Sequence, residues 1–118
     1  MEKSIEKELS FGKLLIQMKQ IGNDYLIAVE GGEKPHIGCT VLAVPRPSLT
    51  GDGSYSATSS VLNVTGHKDE VICRLLAEQV ARKKRAVTVC TGGVHVDHIE
   101  EEQIDEVVQA VEKMGNML

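Results

Sequence analysis

Residues 55–90 decide the fold, and they read YSATSSVLNVTGHKDEVICRLLAEQVARKKRAVTVC. The first ten are rich in Ser, Thr and Val and predict a β-strand, with a polar side that suits solvent or a cavity. The apolar spacing then becomes helical, from the Thr65–Glu70 segment to about Lys84, with acids in the first turn and bases in the last. Ala86–Cys90 is β-branched and apolar again and predicts a central strand. This order indicates a sheet with helices packed on it.

The flanking residues extend the predicted sheet. Upstream, two apolar runs joined by the turn signal Gly22-Asn23-Asp24 predict a hairpin, and a third run follows. Downstream, Thr91-Gly92-Gly93 interrupts the central strand, and Asp97 matches the N-cap of a second helix that ends near Met114. We therefore predict an α+β fold of ββββαβα order, an antiparallel sheet of about five strands with two helices on it. The strands predicted before the first helix are residues 13–21, 25–29, 36–44 and 55–64.

The composition fits one globular domain. The chain has 118 residues, of which 42% are apolar and 25% are charged, and these values exclude a disordered chain. We expect one domain over residues 11–118, preceded by a flexible or edge segment over residues 1–10. The longest apolar run is too short for a membrane helix. Residues 1–10 also lack the apolar part of a signal peptide, so we expect a cytoplasmic protein.

Charge and aromatic content argue against a nucleic-acid partner. The net charge is −4, and the chain has two Tyr, one Phe and no Trp, so bases would find little to stack on. The cysteines form no CxxC pair, which makes a thiolate zinc site improbable. We expect Cys39, Cys73 and Cys90 to be free, buried, apolar side chains.

The most irregular stretch is residues 45–54, PRPSLTGDGS. Its two prolines fix φ and lack backbone donors, so the stretch is predicted to be neither helix nor central strand. Arg46 offers a planar cationic fork for phosphate or carboxylate, and the glycines let backbone amides approach. Together with the helix start at 65–68, whose free N–H groups attract anions, this loop forms a candidate anion site. Its members are Arg46, Ser48, Thr50, Gly51, Asp52, Ser54, Thr65, Gly66, His67 and Lys68.

The residues alone leave other interpretations open. The loop is equally well explained as a turn whose Ser, Thr and Asp side chains bond to their own backbone. His95, Asp97 and His98, with His67, are a possible metal set, and His67 or His95 a possible acid or base, but the ligand spacing is unfamiliar. A nucleophilic pair of Cys90 and His95 is disfavoured, because a thiol in an apolar strand is inert. We expect no metal and no catalytic residue.

Four segments of the chain resemble a known family. They are residues 34–38, 45–54, 59–69 and 93–97, which read KPHIG, PRPSLTGDGS, SSVLNVTGHKD and GVHVD. Over roughly residues 11 to 112 the chain is similar to the small D-subunit-type proteins of gallate decarboxylase systems, regarded as a prenylated-flavin chaperone family. The resemblance implies the fold of the small proteasome assembly chaperones, an antiparallel sheet flanked by helices, and a homodimer.

The resemblance also implies a role beside decarboxylases that use prenylated FMN. Those enzymes need a reactive, oxygen-sensitive cofactor that a flavin prenyltransferase supplies and oxidation matures. A chaperone of this kind would bind prenylated FMN (or FMN) and pass it to the large subunit of a gallate- or hydroxybenzoate-type decarboxylase. His67 or His95 would lie near the isoalloxazine, and only Tyr55 could stack on it, so aliphatic side chains would cover the rest. The side chains that would hold the phosphate are Arg46, Ser48, Thr50 and Lys68.

Two other functions remain open from the sequence. One is a non-catalytic assembly subunit of the decarboxylase without its own ligand, and the other is a small lyase or hydrolase that uses His67, His95 and Asp97. We expect an accessory protein rather than an enzyme. If the protein carries a cofactor, we expect a polar pocket that contains an arginine. If it is an assembly subunit, we expect an exposed apolar patch instead.

Overall fold

The computed structural model describes residues 2–64 and 67–118, and these residues form a six-stranded sheet and two helices. The predicted α+β class is confirmed. The elements in chain order are β1 (Glu2–Leu9), β2 (Gly12–Ile21), β3 (Asp24–Gly32), β4 (Cys39–Pro47), β5 (Tyr55–Asn63), α1 (His67–Lys84), β6 (Thr88–His95) and α2 (Glu101–Asn116).

Both helices contribute to one core on one face of the sheet. The strands lie in the order β1-β2-β3-β6-β4-β5, and alternate side chains of β2, β3, β4 and β6 meet the helices in an aliphatic cluster. The remaining side chains of these strands point to the opposite face. That open face exposes Leu42, Val44 and Leu62, the last of them at 75%. The sheet is therefore covered by described helices on one side only.

The prediction of about five strands was wrong by one strand. Residues 2–9 form β1, which pairs antiparallel with β2 at the edge of the sheet. Its charged residues conceal the strand pattern, because an edge strand tolerates charges on both faces. Ile5 and Leu9 nevertheless pack against the core, and Lys3 Nζ donates to the Met117 carbonyl at 3.0 Å.

β6 enters the sheet between β3 and β4, as the prediction of a central strand required. It pairs antiparallel with β4 but parallel with β3, so the sheet is mixed rather than purely antiparallel. Parallel neighbours need a long connection, and the chain passes from β3 to β6 through β4, β5 and α1. The strand also continues through its two glycines instead of breaking there. Gly92 has φ +141°, and a Cβ at this position would overlap the Val29 carbonyl of β3.

The structure corrects two further boundaries. β4 extends through Pro47. Its pairing with β6 ends at Ala43, so the two prolines pair with β5 only, and a proline is tolerated where one edge of the strand has no partner. Helix α2 begins at Glu101, not directly after Asp97, and the Gln103 side chain accepts the Glu100 N–H at 2.9 Å. The helix runs to Asn116, two residues beyond the predicted end.

The predicted burial of the cysteines is confirmed. Cys39, Cys73 and Cys90 are free, and each has 0% of its surface exposed. Burial raises the pKa of Cys39 to about 12, and the neighbouring Cys73 thiol adds to the rise. A buried thiol of high pKa is a poor nucleophile. The described helices include none that is long and apolar enough to cross a membrane.

The native protein is expected to resist thiol labelling. At pH 8 N-ethylmaleimide should modify none of the cysteines in the folded state and all three after unfolding in urea, as counted by mass spectrometry. The thiol introduced by Ile21→Cys, at a position that is 56% exposed, provides the matched reactive control. Labelling of a native cysteine as fast as this control would contradict the buried cluster.

Candidate functional site

A buried carboxylate joins three segments at one end of the sheet. Asp69 lies in the first turn of α1 and is 6% exposed. Its Oδ2 accepts from His36 Nε2 at 2.9 Å, and its Oδ1 accepts the Val94 backbone N–H at 3.0 Å. His36 belongs to the β3–β4 connection, and its Nδ1 faces the Lys34 carbonyl at 3.1 Å. Both ring nitrogens of His36 therefore face hydrogen-bond acceptors, and Asp69 accepts hydrogen bonds from two different segments of the chain.

Two glycines make room for this pair. A Cβ at Gly38 would overlap Asp69 Oδ2, and a Cβ at Gly93 would lie 2.8 Å from His36 Nε2 and 3.0 Å from Asp69 Oδ2. Both contacts are closer than side chains tolerate, so the backbone approaches the pair here only because glycine lacks a side chain. The site therefore depends on the residue types at His36, Gly38, Asp69 and Gly93, which lie in three segments of the chain.

A second histidine extends the cluster towards the surface. The His95 ring meets the His36 ring edge to face, with centroids 6.1 Å apart. His95 Nε2 lies 2.9 Å from Asp97 Oδ1, and this hydrogen bond lowers the pKa of Asp97. We name the group of His36, Asp69, His95 and Asp97 the histidine cluster. Its members form two hydrogen-bonded pairs, His36 with Asp69 and His95 with Asp97, and the two pairs meet through their rings.

An aliphatic cavity of about 310 Å³ adjoins the histidine cluster. It lies between the first turns of α1, the end of β6 and the first half of α2. Among the residues that the structure describes, His95 is the only polar side chain on its wall. The aliphatic wall includes Val71, Ile72, Val94, Val96, Val107 and Val108.

The predicted anion loop lies at the other end of β4 and β5. Arg46 pairs with Ser56, and its Nε donates to Thr58 Oγ1 at 2.9 Å. The loop hydroxyls bond within the loop: Ser48 Oγ lies 2.9 Å from Thr50 Oγ1, and Gly51 N–H donates to the Ser48 carbonyl at 3.4 Å. This arrangement matches the alternative of a self-satisfied turn.

The loop also carries a fixed negative charge. Hydrogen bonds from the Ser54 hydroxyl and backbone N–H lower the pKa of Asp52 to about 2. This carboxylate is therefore ionised at neutral pH. Its negative charge opposes the binding of an anion by a loop that acts without residues from other segments. Tyr55 lies under the Arg85 guanidinium, whose carbon is 4.2 Å from the ring centroid, so one face of the ring is already covered.

Within one chain the structure separates Arg46 from the start of α1. Asn63, at the far end of β5, donates to Glu70 in the first turn of the helix at 2.8 Å. Ser56 and Asn63 are seven residues apart along an extended strand, which spans roughly 23 Å. Thr65 and Gly66, and the side chains of His67 and Lys68, lie outside the described residues. Their convergence with Arg46 stays a prediction, and it needs a second copy of the chain.

Two residues of the histidine cluster were not singled out from the sequence. His36 and Asp69 both lie in segments that carry the family resemblance, but Asp69 was explained as an acid that suits the helix dipole. The sequence offers His95, Asp97 and His98, with His67, as a possible metal set. In the described residues, no three His, Cys, Asp or Glu side chains are arranged to hold a metal ion. His98 is exposed and adopts φ 55° in the loop before α2.

Removal of the Asp69 charge is expected to loosen this end of the sheet. Asp69→Asn should lower the free energy of unfolding by about 2 kcal/mol, because the amide has one oxygen and cannot accept from both His36 and the Val94 N–H. Asp105→Asn, on the exposed side of α2, is the matched control and should change it by less than about 0.5 kcal/mol. Urea denaturation followed by circular dichroism measures both. Equal effects of the two variants would show that the pair contributes nothing.

Comparisons with known proteins agree on the fold. The chain is similar to a crystal structure of a yeast chaperone complex for 20S proteasome assembly, with a TM-score of 0.54 and 14% identity. The alignment covers 98% of this chain and 94% of that chain. At this identity the likeness shows the fold alone, and it confirms the predicted proteasome-assembly-chaperone-like architecture.

Sequence comparisons identify the family. The chain is 33% identical over 89 residues to Protein LpdD of Lactiplantibacillus plantarum, and the match covers 74% of this chain. It spans 60% of the length of that curated relative. Residues 11–118 match the family described as the prenylated flavin chaperone LpdD-like domain. This chain, with its histidine cluster beside an aliphatic cavity, therefore belongs to the prenylated flavin chaperone LpdD-like family.

Proposed function

We propose that this protein is an accessory protein that binds prenylated FMN and passes it to an aromatic-acid decarboxylase of the gallate or hydroxybenzoate type. The observation that carries the proposal is the family match over residues 11–118. The partners would be a flavin prenyltransferase, which supplies the cofactor, and the large decarboxylase subunit, which uses it. The free buried cysteines suit a reducing cytoplasm.

The aliphatic cavity and the histidine cluster fit the two chemical halves of a flavin ring system. A flavin ring is flat and largely apolar, but its edge carries carbonyl and nitrogen acceptors. Aliphatic side chains can cover the apolar part, and the ring of His95, which lies on the cavity wall, can hydrogen-bond to the flavin edge at the mouth. In the decarboxylase, the prenylated ring supplies the reactive centre. In this protein the residues would only bind it and keep water from it.

Arg46 would enter the site through a second copy of the chain. The open face of the sheet carries Arg46 together with exposed Leu42, Val44 and Leu62. Exposed aliphatic side chains on an uncovered sheet favour packing against another sheet. A homodimer built on this face would bury these side chains and bring Arg46 into the interface, where it could approach a phosphate held by the partner.

The same apolar face favours a second candidate function. An assembly subunit without a ligand needs an exposed apolar surface, and Leu42, Val44 and Leu62 provide one. The described wall of the aliphatic cavity contains no arginine, unlike the pocket expected of a carrier that holds phosphate. Cofactor binding is therefore the measurement that separates the two functions.

Anaerobic titration with prenylated FMN and with FMN, read by calorimetry, tests the carrier proposal. We expect binding at micromolar concentration, and Arg46→Ala should weaken it about tenfold, because a charge-assisted contact to phosphate is lost. Arg82→Ala, on the exposed side of α1, is the matched control and should leave the affinity unchanged. An unchanged affinity of Arg46→Ala would remove the loop from the site. Absence of binding at tens of micromolar would favour the assembly function.

The homodimer has its own test. Light scattering after size-exclusion chromatography should give the mass of a dimer for the native chain and of a monomer for Leu42→Asp, because the variant places a charge on the apolar face. Met117→Asp introduces the same charge at a 55% exposed residue beside the end of α2, away from the open face, and should remain dimeric. A monomeric native chain, or a dimeric Leu42→Asp variant, would contradict a dimer through the open face.

A further inference from the structure

The aliphatic cavity has the wrong chemistry for a phosphate and the right size for an apolar group. An engineered cavity of roughly 150 Å³ binds benzene, and this one is about twice as large at about 310 Å³. Pockets that enclose a whole cofactor begin near this volume and extend to about 1,000 Å³. The cavity therefore suits one apolar part of a larger molecule.

Core residues build the wall, so the cavity is a fixed feature of the packing between the helices. Val107 is 2% exposed, Ile72 is 5% exposed and Val96 is 8% exposed. Val71, at 50% exposure, marks the side that opens to solvent. A ligand would enter past Val71 and His95 and displace little structure.

Among the described residues, the wall contains branched aliphatic side chains and the single imidazole ring of His95, with no Phe, Tyr or Trp. Stacking of a flat ring between aromatic faces is therefore not available there. Branched methyl groups instead pack closely around another branched aliphatic group, and each buried carbon adds affinity through the hydrophobic effect. Such a wall recognises a compact, methyl-rich group better than an extended polar one.

We propose that this cavity is a binding site for a five-carbon isoprenoid group. It would let the protein distinguish prenylated FMN from FMN, a consequence that rests on the proposed function. The isoprenoid-derived carbons would occupy the space between α1 and α2. The flavin acceptors would then face His95 at the mouth, and the ribityl phosphate would remain outside the cavity.

Nuclear magnetic resonance with 3-methylbut-2-en-1-ol, a five-carbon isoprenoid alcohol, tests the site without any flavin. Millimolar alcohol should shift the methyl signals of Val94, Val96 and Val107 and leave that of Ile21 unchanged. Val108→Phe fills the cavity from α2, and Val71→Phe narrows its mouth from an exposed position, so that one variant should fold even if the other does not. Each of these two variants should bind the alcohol at least about tenfold more weakly than the native protein, whereas Ile21→Phe should bind it with unchanged affinity. Absence of shifts, or equal shifts in the filled and control variants, would overturn the proposal.

Titrations with the two flavins then test whether the cavity makes the protein prefer prenylated FMN to FMN. Prenylated FMN should bind at least about tenfold more tightly than FMN, and Val108→Phe should abolish most of that difference. Equal affinity for the two flavins would overturn the selection by the cavity. If the alcohol binds but neither flavin does, the isoprenoid site stands and the proposed cofactor-carrying function is wrong.

Discussion

The buried carboxylate of Asp69 needs hydrogen-bond donors from the protein, because water does not reach it. The donors it binds fix the arrangement of one end of the molecule. An ionised group shielded from water is stable only when it is paired and hydrogen-bonded. Asp69 takes one donor from His36 in the β3–β4 connection and another from the backbone of β6. The start of α1 is thereby fixed to the β3–β4 connection and to β6, which are far apart in sequence.

This pairing imposes a requirement on the backbone around it. Gly38 and Gly93 leave no side chain between the strands and the pair, and Gly92 lets β6 lie directly against β3. The glycines, Asp69 and His36 therefore depend on one another, because the pair fits between the strands only where no side chain intervenes. The aliphatic cavity and His95 lie directly beyond it, so the geometry of the cavity mouth depends on the same bonds.

Periodicity was sufficient to predict the helices and the interior strands, since burial on one side leaves a regular apolar pattern. It failed at β1, where charges alternate with few apolar residues, and at Gly92-Gly93, where glycine resembles a break but permits close strand packing. The composition of the loop at 45–54 predicts an anion site, yet its hydroxyls bond within the loop, Ser48 to Thr50 and Ser54 to the Asp52 carboxylate. His36 and Asp69 could not be paired from spacing, because 33 residues separate them and only the sheet order brings them together.

Because the helices cover one face of the sheet only, the aliphatic cavity and the exposed apolar face lie on opposite sides of a single layer of strands. The cavity lies among the helices, whereas the exposed Leu42, Val44 and Leu62 lie on the opposite side. A small molecule among the helices and a protein on the strands would not compete for the same area. Ligand binding and protein docking are therefore compatible at the same time, and each can influence the other through the shared strands or through an Arg46 side chain that a docked copy supplies.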